Sequence, residues 1–305
     1  MRPSLLLLAG LVVAALAVSL PYWASDYVLG VLTPAFYLAV FAMAWDLLFG
    51  FANEVNFGPT FLIGLGAYTA GILNNRFGVP IWLCLIAGTL AAVAGGVVLA
   101  LPALRVRGPY FGLTTLVAVL ILSNLIVVFA DLTGGEIGLT VPDVITIDAN
   151  VNYWLALGFM VASGAILLAL SRSPMGLILQ ASGQDPVQAG ALGFNVTKHK
   201  LAAFTISAFF SGLAGALYVF YLSTASVGTL VDVTVGVQVI IAAVLGGRRS
   251  IVGAALGAIF LVAATEALRP TGELATLIVS ATALLIVLFF PNGFMGLLGL
   301  LGRRG

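Results

Sequence analysis

The chain has 305 residues, of which 62% are hydrophobic and only 8% are charged, and its net charge is +1. Ordinary soluble domains have about a quarter of their residues charged, so this composition excludes an ordinary soluble domain. No run of basic residues is long enough to bind nucleic acid. The apolar residues fall in long blocks, whereas a transmembrane β-barrel has short alternating segments. The sequence therefore predicts an all-α, polytopic helical membrane protein in a lipid bilayer.

Taken in chain order, ten apolar segments are candidates for membrane spans. Several of them are short and suit half-spans, so we predict about 10 spans, within a range of 8–10. The first is interpreted as an uncleaved span, because Leu20-Pro21-Tyr22-Trp23 stands where a signal peptide would have small residues. The segments lie near 4–22, 27–50, 59–74, 80–102, 110–130, 152–170, 201–223, 233–247, 251–268 and 274–291.

The basic residues between these segments predict an orientation. Cytoplasmic loops of membrane proteins are enriched in Lys and Arg. With the N-terminus in the cytoplasm, ten basic residues face inward and only Arg76 and Arg269 face outward. We therefore predict an N-in, C-in topology within a single transmembrane domain, 1–305, with an external loop at about 131–151 and a cytoplasmic loop at about 171–200. The ten are Arg2, Arg105, Arg107, Arg172, Lys198, Lys200, Arg248, Arg249, Arg303 and Arg304.

Polar side chains inside apolar segments are candidates for a solute path. Charges at membrane depth are costly and usually face the interior of a helix bundle. The run from Gly50 to Pro59 can also be a break between half-helices, whose free backbone groups can line a path. The alternative is that these charges are interfacial or structurally paired. The candidates are Asp46, Asn53, Glu54, Asn56, Gln238 and Glu266.

The cytoplasmic loop contains the signals of a short helix. Asp185 is a natural N-cap, Pro186 fits the first helical position, and Gly193 suits the left-handed position that ends a helix. A helix of about two turns is too short to be stable alone, so a partner surface is expected to hold it. Small or short residues at intervals of four predict a flat contact face. These are Ala181, Asp185, Ala189 and Gly193. An ordinary interhelical loop with one helical turn is the alternative.

Six segments, in order along most of the chain, resemble bacterial ABC importer permeases of the branched-chain amino acid type. They are Trp45–Thr69, Arg105–Tyr110, Thr133–Gly138, Gln180–Asn195, Gly246–Ala258 and Pro291–Gly293. The resemblance implies that the cytoplasmic loop carries the coupling helix, which docks into a cleft of an ATPase subunit. The coupling residues that it implies are Ala181, Asp185, Pro186, Gln188, Ala189, Leu192, Gly193 and Asn195.

Two segments depart from the family pattern. Members usually carry Gly-Gln-x-Ser-Leu-Gly-His where this chain has Asn53 to Pro59, so that Glu54 replaces an amide and Pro59 replaces a histidine. The pattern Gly-Gly-x-Gly-Ser becomes Gly246 to Ser250, with Arg249 in place of a glycine. These changes affect the expected identity of the transported solute more than the assignment of the chain as an importer permease.

The chain contains no P-loop and only one histidine, His199, so neither an ATPase nor a metal site is visible. We expect no cofactor in this chain and no enzymatic activity. The resemblance implies a homologous second permease subunit, two cytoplasmic ATPase subunits and an extracytoplasmic solute-binding protein, working at a bacterial inner membrane. It implies inward transport of branched-chain amino acids or a related solute by alternating access. The alternatives are a urea or short-amide permease of the same family and a stand-alone, ion-coupled secondary transporter.

Overall fold

A computed structural model describes residues 15–104 and 109–272, together with residues 274, 278, 281 and 293. The described residues are mostly helical, which confirms the predicted all-α class. The long helices are α1 (Asp26–Asp46), α2 (Pro59–Phe77), α3 (Ile81–Ala103), α4 (Pro109–Val128), α6 (Ala149–Arg172), α9 (Val196–Leu222), α11 (Val233–Gly246) and α12 (Ile251–Ala267). Shorter elements are α5 (Ala130–Thr133), α7 (Pro174–Gln184), α8 (Pro186–Ala191), α10 (Val227–Leu230), strands β1 (Leu139–Thr140) and β2 (Thr224–Ala225), and 3₁₀ turns at Leu20–Tyr22 and Arg269–Thr271.

Six helices of the described part are long and apolar enough to cross a membrane, which confirms a multi-pass membrane protein. They are Asp26–Phe51, Ile81–Ala103, Pro109–Val128, Ala149–Arg172, Val196–Leu222 and Val227–Gly246. Helices α2 and α12, with 19 and 17 residues, pack beside them. Most of the predicted spans 4–22 and 274–291 lie outside the described residues. The total of about ten spans therefore stays a prediction.

Successive long helices connect at alternate ends of the bundle. One end, called the α8 end, holds the α1–α2 connection, α7 and α8, and the α11–α12 turn, which are hydrogen-bonded to one another. The other end, called the β1–β2 end, holds the α2–α3 turn, the two strands and the turn after α12. There the Asn75 amide donates to the Thr140 carbonyl oxygen at 2.8 Å. The two ends thus carry separate sets of loops.

Helix α1 is the centre of the bundle and packs against α6, α9, α11 and α12. Its residues between Ala35 and Leu48 are almost all buried. Helices α2, α3 and α9 form a second tightly packed group. A Cβ atom on Gly66 would lie 2.2 Å from the carbonyl oxygen of Gly212, and one on Gly215 would lie 2.4 Å from that of Ile63. Small residues therefore let these backbones touch.

The α1–α2 connection begins with a change of helix type. Helix α1 continues into a π-helical turn at Leu47–Phe51, and the chain leaves the helix at Asn53, whose φ is 57°. Helix α2 then starts with Pro59 at its first turn, where the missing N–H costs nothing. The helix is therefore broken between Gly50 and Pro59, as predicted, but Asp26–Phe51 before the break is long enough to cross a membrane and is not a half-helix. π-Helical turns are rare and are frequent at functional sites.

The predicted external loop at about 131–151 contains structure that its sequence did not reveal. Strand β1 pairs antiparallel with β2, with Leu139 opposite Ala225. Two residues are too few to show the alternating pattern of a strand. At the end of this loop, Asp148 caps α6 by accepting a hydrogen bond from the Asn150 N–H at 2.7 Å. One acidic residue of the loop is therefore used within the chain.

Candidate functional site

The segment between α6 and α9 folds as its local chemistry predicts. The Oδ1 atom of Asp185 accepts hydrogen bonds from the N–H groups of Val187 and Gln188, both at 2.9 Å, and Pro186 opens α8. Gly193 follows the helix with a φ of 90°. Asn195 then caps α9 by accepting from the Lys198 N–H at 2.9 Å. The predicted capped helix of about two turns is confirmed.

The predicted contact face of four residues is wrong. Ala181 ends up in α7 and Asp185 has an extended backbone with a φ of −144°, so the helix is interrupted between Ala181 and Ala189. The Asp185 side chain competes for the backbone N–H groups of the next turn and thereby breaks the helix. Of the four, only Ala189 is buried. The four residues therefore do not lie on one common surface.

Three large apolar side chains, one in α8 and two directly after it, are exposed instead. Val187 and Leu192 are 74% and 75% exposed, and Phe194 is also exposed. The predicted coupling residues Pro186 and Gln188 lie on the same exposed segment. Because α8 is capped at its start and anchored through buried Ala189, these side chains are presented on a defined short helix. Val187 was missed at the sequence level, because a single valine between polar residues gives no periodic signal.

Helix α7 holds this segment against the end of α1. Gly183 is buried, and a Cβ atom placed on it would lie 2.8 Å from the carbonyl oxygen of Phe51. The Nδ2 group of Asn53 donates a hydrogen bond to the Gly183 carbonyl oxygen at 3.1 Å. The Oδ1 atom of Asn53 accepts one from the Arg248 guanidinium. One amide therefore contacts both α7 and the α11–α12 turn.

A partly buried ion pair lies beside this amide. Lys200 Nζ is 2.5 Å from Glu54 Oε1, and each side chain is only 15% exposed. Lys200 lies in the second turn of α9 and Glu54 lies in the α1–α2 connection. The pair therefore joins α9 to the same connection that Asn53 joins to α7. Lys200 was counted at the sequence level for topology only, because its partner is 146 residues away.

Asp46 is fully buried and contacts the α11–α12 turn. Its Oδ1 atom accepts a hydrogen bond from the backbone N–H of Arg249 at 3.2 Å. The Nε group of Arg249 donates to the Gly50 carbonyl oxygen at 3.1 Å. The Arg248 guanidinium lies 4.9 Å from the centre of the Phe49 ring, a cation–π distance. Arg249, which stands in place of a glycine of the family pattern, thus binds the last turns of α1.

We call this group of contacts the polar junction. It consists of Asp46, Asn53, Glu54, Gly183, Lys200, Arg248 and Arg249. Three of the predicted path residues belong to it, and Asn56 lies next to it. The Oδ1 atom of Asn56 accepts from the Gly58 N–H at 2.8 Å, and its carbonyl oxygen accepts from the Trp45 indole at 2.6 Å. The structural pairing that was an alternative is therefore present for Glu54, whereas Asp46 accepts a hydrogen bond from a backbone N–H.

The other two predicted path residues lie elsewhere. Gln238 is exposed on α11, within a stretch that is apolar enough to cross a membrane. Glu266 lies at the β1–β2 end, where it accepts hydrogen bonds from the Tyr27 hydroxyl and from Arg269 at 3.0 Å. The structure therefore does not bring the six candidates together, and their role in a path stays a prediction.

Metal-binding chemistry is not evident in residues 15–104 and 109–272, where no three His, Cys, Asp or Glu side chains are close enough to hold an ion. At the α8 end, Glu54 pairs with Lys200, Asp185 caps α8, and Arg248 and Arg249 bond to neutral amide and carbonyl oxygens.

Comparisons with known proteins agree with these features. A family described as branched-chain amino acid transport system / permease component matches residues 27–289. The chain is 27% identical to the high-affinity branched-chain amino acid transport system permease protein LivM of Salmonella typhimurium, covering 96% of this chain and 75% of that protein. It is 28% identical to the Escherichia coli LivM protein, covering 92% and 72%. It is also 25% identical to a probable LivH permease of Methanocaldococcus jannaschii, covering 76% of each. No solved structure matches the chain.

Proposed function

Because the chain belongs to the family of branched-chain amino acid transport system permease components, we propose that it is a membrane permease subunit of an ATP-driven importer for these amino acids. The importer moves its solute inward by alternating access. Permease names recur among the relatives at 27–28% identity over most of the chain. The subunit provides a path and a docking surface, and separate ATPase subunits hydrolyse ATP.

The observation that carries this proposal is the exposed, capped helix α8. A helix of six residues is unstable by itself, yet this one presents Val187 and Leu192 to solvent at about three-quarters exposure. Apolar side chains on a short fixed helix suit insertion into a groove of a partner protein. We propose that α8 docks on the ATPase, with Asp185, Gln188 and Gly193 shaping its ends.

The charge distribution supports an orientation with the α8 end in the cytoplasm. In the described residues this end carries Arg172, Lys198, Lys200, Arg248 and Arg249, whereas the β1–β2 end carries Arg76 and Arg269. Positive residues favour the cytoplasmic side. We therefore propose an N-in, C-in topology of about ten spans in a bacterial inner membrane.

The importer that we propose requires further partner proteins. The likeness to a LivH permease as well as to LivM proteins supports a second, homologous permease subunit in the complex. A solute-binding protein delivers the solute at the β1–β2 end. No cofactor is needed in this chain. Gln238 is the path residue with the clearest support, because an exposed amide in a membrane-crossing helix suits a subunit interface or an aqueous path better than lipid.

Two other functions make different predictions. A urea or short-amide importer would use the same ATPases with another binding protein. The affinities of the cognate binding protein for leucine, isoleucine and urea therefore distinguish the two kinds of importer. A stand-alone secondary transporter would use Asp46, Glu54 or Glu266 to couple ions. Flux through the purified chain alone in vesicles with an ion gradient and no ATPase would reject the importer.

The docking role of α8 is tested with the double variant Asp185→Ala/Gly193→Leu in the complete complex. The first change removes the cap, and the second places a side chain where φ is 90°. We expect normal insertion in the membrane but little ATP-dependent uptake of labelled leucine. Asp232→Ala, which removes a similar cap from α11 at the β1–β2 end, is the matched control. Full uptake by the double variant would contradict the docking role.

A further inference from the structure

Asn53 stands between the segment that carries α8 and the α11–α12 turn. Its Nδ2 group donates to the carbonyl oxygen of Gly183, two residues before the cap of α8. Its Oδ1 atom accepts from Arg248. The two partners are 65 residues apart in sequence, since 248 − 183 = 65, and both are held by this one side chain. No other residue of the described chain is bonded to both segments by one side chain.

We propose that Asn53 is a positioning residue that transmits movement of α7 and α8 to the α11–α12 turn and to the end of α1. This inference rests on the proposed function, because the movement is the one that ATPase subunits would impose on α8. The docking surface of α8 lies outside the membrane. The inference names a residue, Asn53, that connects this surface to the helices inside the membrane.

The first step of the route is rigid. Gly183 packs directly on the backbone of Phe51 and Ala52, where an added Cβ would lie 2.8 and 2.9 Å away. Only Asp185 separates α7 from α8, and its side chain is fixed by two hydrogen bonds to the first turn of α8. A displacement of α8 is therefore passed to Gly183 over a short and well-ordered path.

The second step depends on the chemistry of an asparagine amide. An amide has a donor and an acceptor on one planar group, so it can bind a carbonyl oxygen and a guanidinium simultaneously. Asparagine also tolerates the left-handed backbone found here, where φ is 57°. Aspartate could keep the contact with Arg248 but has no donor for Gly183. Glycine could keep the backbone but would lose both contacts.

The third step reaches the interior of the bundle. Arg248 lies over the Phe49 ring, and Arg249 binds the Gly50 carbonyl oxygen and donates its backbone N–H to buried Asp46. The α11–α12 turn is therefore tied to the π-helical end of α1 at several points. A shift of Arg248 must move this turn, and α11 with it, or break these contacts.

The test uses the complete complex, co-expressed with its own partner subunits and placed in proteoliposomes with the binding protein and labelled leucine. The measured quantity is leucine taken up per ATP hydrolysed. We expect Asn53→Gly, Asn53→Asp and Arg248→Gln each to lower this ratio by about tenfold, within the usual range of coupling between two sites. The double variant Asn53→Gly/Arg248→Gln should fall no further, because both changes break one route.

The control is Asn75→Ala at the β1–β2 end. This residue is also an asparagine whose amide donates to a carbonyl oxygen of another segment. It should keep the wild-type ratio. Because Asn53→Gly preserves the left-handed backbone and Asn53→Asp preserves one contact, recovery of intact complex is expected for both, and gel filtration checks it.

Two results would overturn the inference. One is a wild-type ratio in both Asn53 variants, and the other is an equal fall in the Asn75 control. Failure of the proposed function is visible separately, because the wild-type complex would then show no ATP-dependent leucine uptake before any variant is made.

Discussion

The two ends of the bundle are fastened in different ways. At the α8 end, contacts between distant segments are made by ionic or charge-assisted side chains, such as Glu54 with Lys200 and Asn53 with Arg248. At the β1–β2 end, a short strand pair joins two loops, and the carboxylates of Glu266 and Asp143 accept hydrogen bonds from the neutral donors Tyr27 and Asn74. Other carboxylates there, such as Asp148 and Asp232, cap helices. Among the described residues, the ion pair between distant segments lies at the α8 end, whereas the backbone strand pair lies at the β1–β2 end. An ion pair between side chains can be exchanged for another during a movement, whereas a strand pair fixes two backbones, so we expect rearrangement at the α8 end.

The largest effect is expected where the α11–α12 turn is closest-packed. A Cβ on Gly246 would lie 1.9 Å from the carbonyl oxygen of Gly253, so Gly246→Ala forces the two helices apart. We expect a loss near the upper end of the about 1–3 kcal/mol typical of overpacking, measured by thermal unfolding in detergent. Gly228→Ala at the β1–β2 end, where no atom lies within 4 Å of the added Cβ, is the control. Equal stability of the two variants would refute the packing argument.

A smaller effect is expected from the ion pairs of the two ends. Glu54→Gln leaves Lys200 partly buried without its carboxylate, and should cost about 1.5 kcal/mol, the lower range for a hydrogen bond to a charged group. Glu266→Gln should have no measurable effect on unfolding, because its partner Arg269 is 70% exposed and the glutamine carbonyl oxygen can still accept from the Tyr27 hydroxyl. Thermal unfolding of both variants at low and high salt distinguishes them. A larger loss in Glu266→Gln would reverse the comparison.

The smallest effect on global stability is expected from removing the helix caps. The local consequence of losing a cap differs between the two ends. Asp185→Ala and Asp148→Ala should each cost about 1 kcal/mol. Because α8 has six residues and α6 has 24, loss of the cap should unfold α8 but only fray the start of α6. Amide hydrogen exchange of residues 187–191 and 149–152 measures this. Unchanged protection of residues 187–191 would show that packing alone holds α8.

Local features of the fold were predictable from sequence. The apolar blocks place the membrane helices, and Asp185, Pro186 and Gly193 specify α8 because caps and helix ends depend on residues only a few positions apart. The break before Pro59 has the same local origin. The contact face from Ala181 to Gly193 failed because the regular interval ignored the cap at Asp185, which interrupts the helix.

The polar junction could not be predicted in the same way. Asn53 and Gly183 are separated by 130 residues, and Glu54 and Lys200 by 146. Pairings at such separations depend on how α7, α9 and the α11–α12 turn are arranged around α1. The sequence could mark Asp46, Asn53 and Glu54 as unusual in an apolar region, but it could not identify their partners.

The exposed side chains of α8 also bear on how the protein is made. Val187 and Leu192 would face the cytosol of a newly inserted, unassembled subunit, in the orientation that we propose. Solvent-facing apolar residues of this kind invite aggregation, and cellular proteases remove proteins that remain in such a state. Synthesis of this permease should therefore be matched to that of the ATPase that we propose as its partner. Expression of the chain alone should yield a short-lived product, and supply of the partner should lengthen its lifetime.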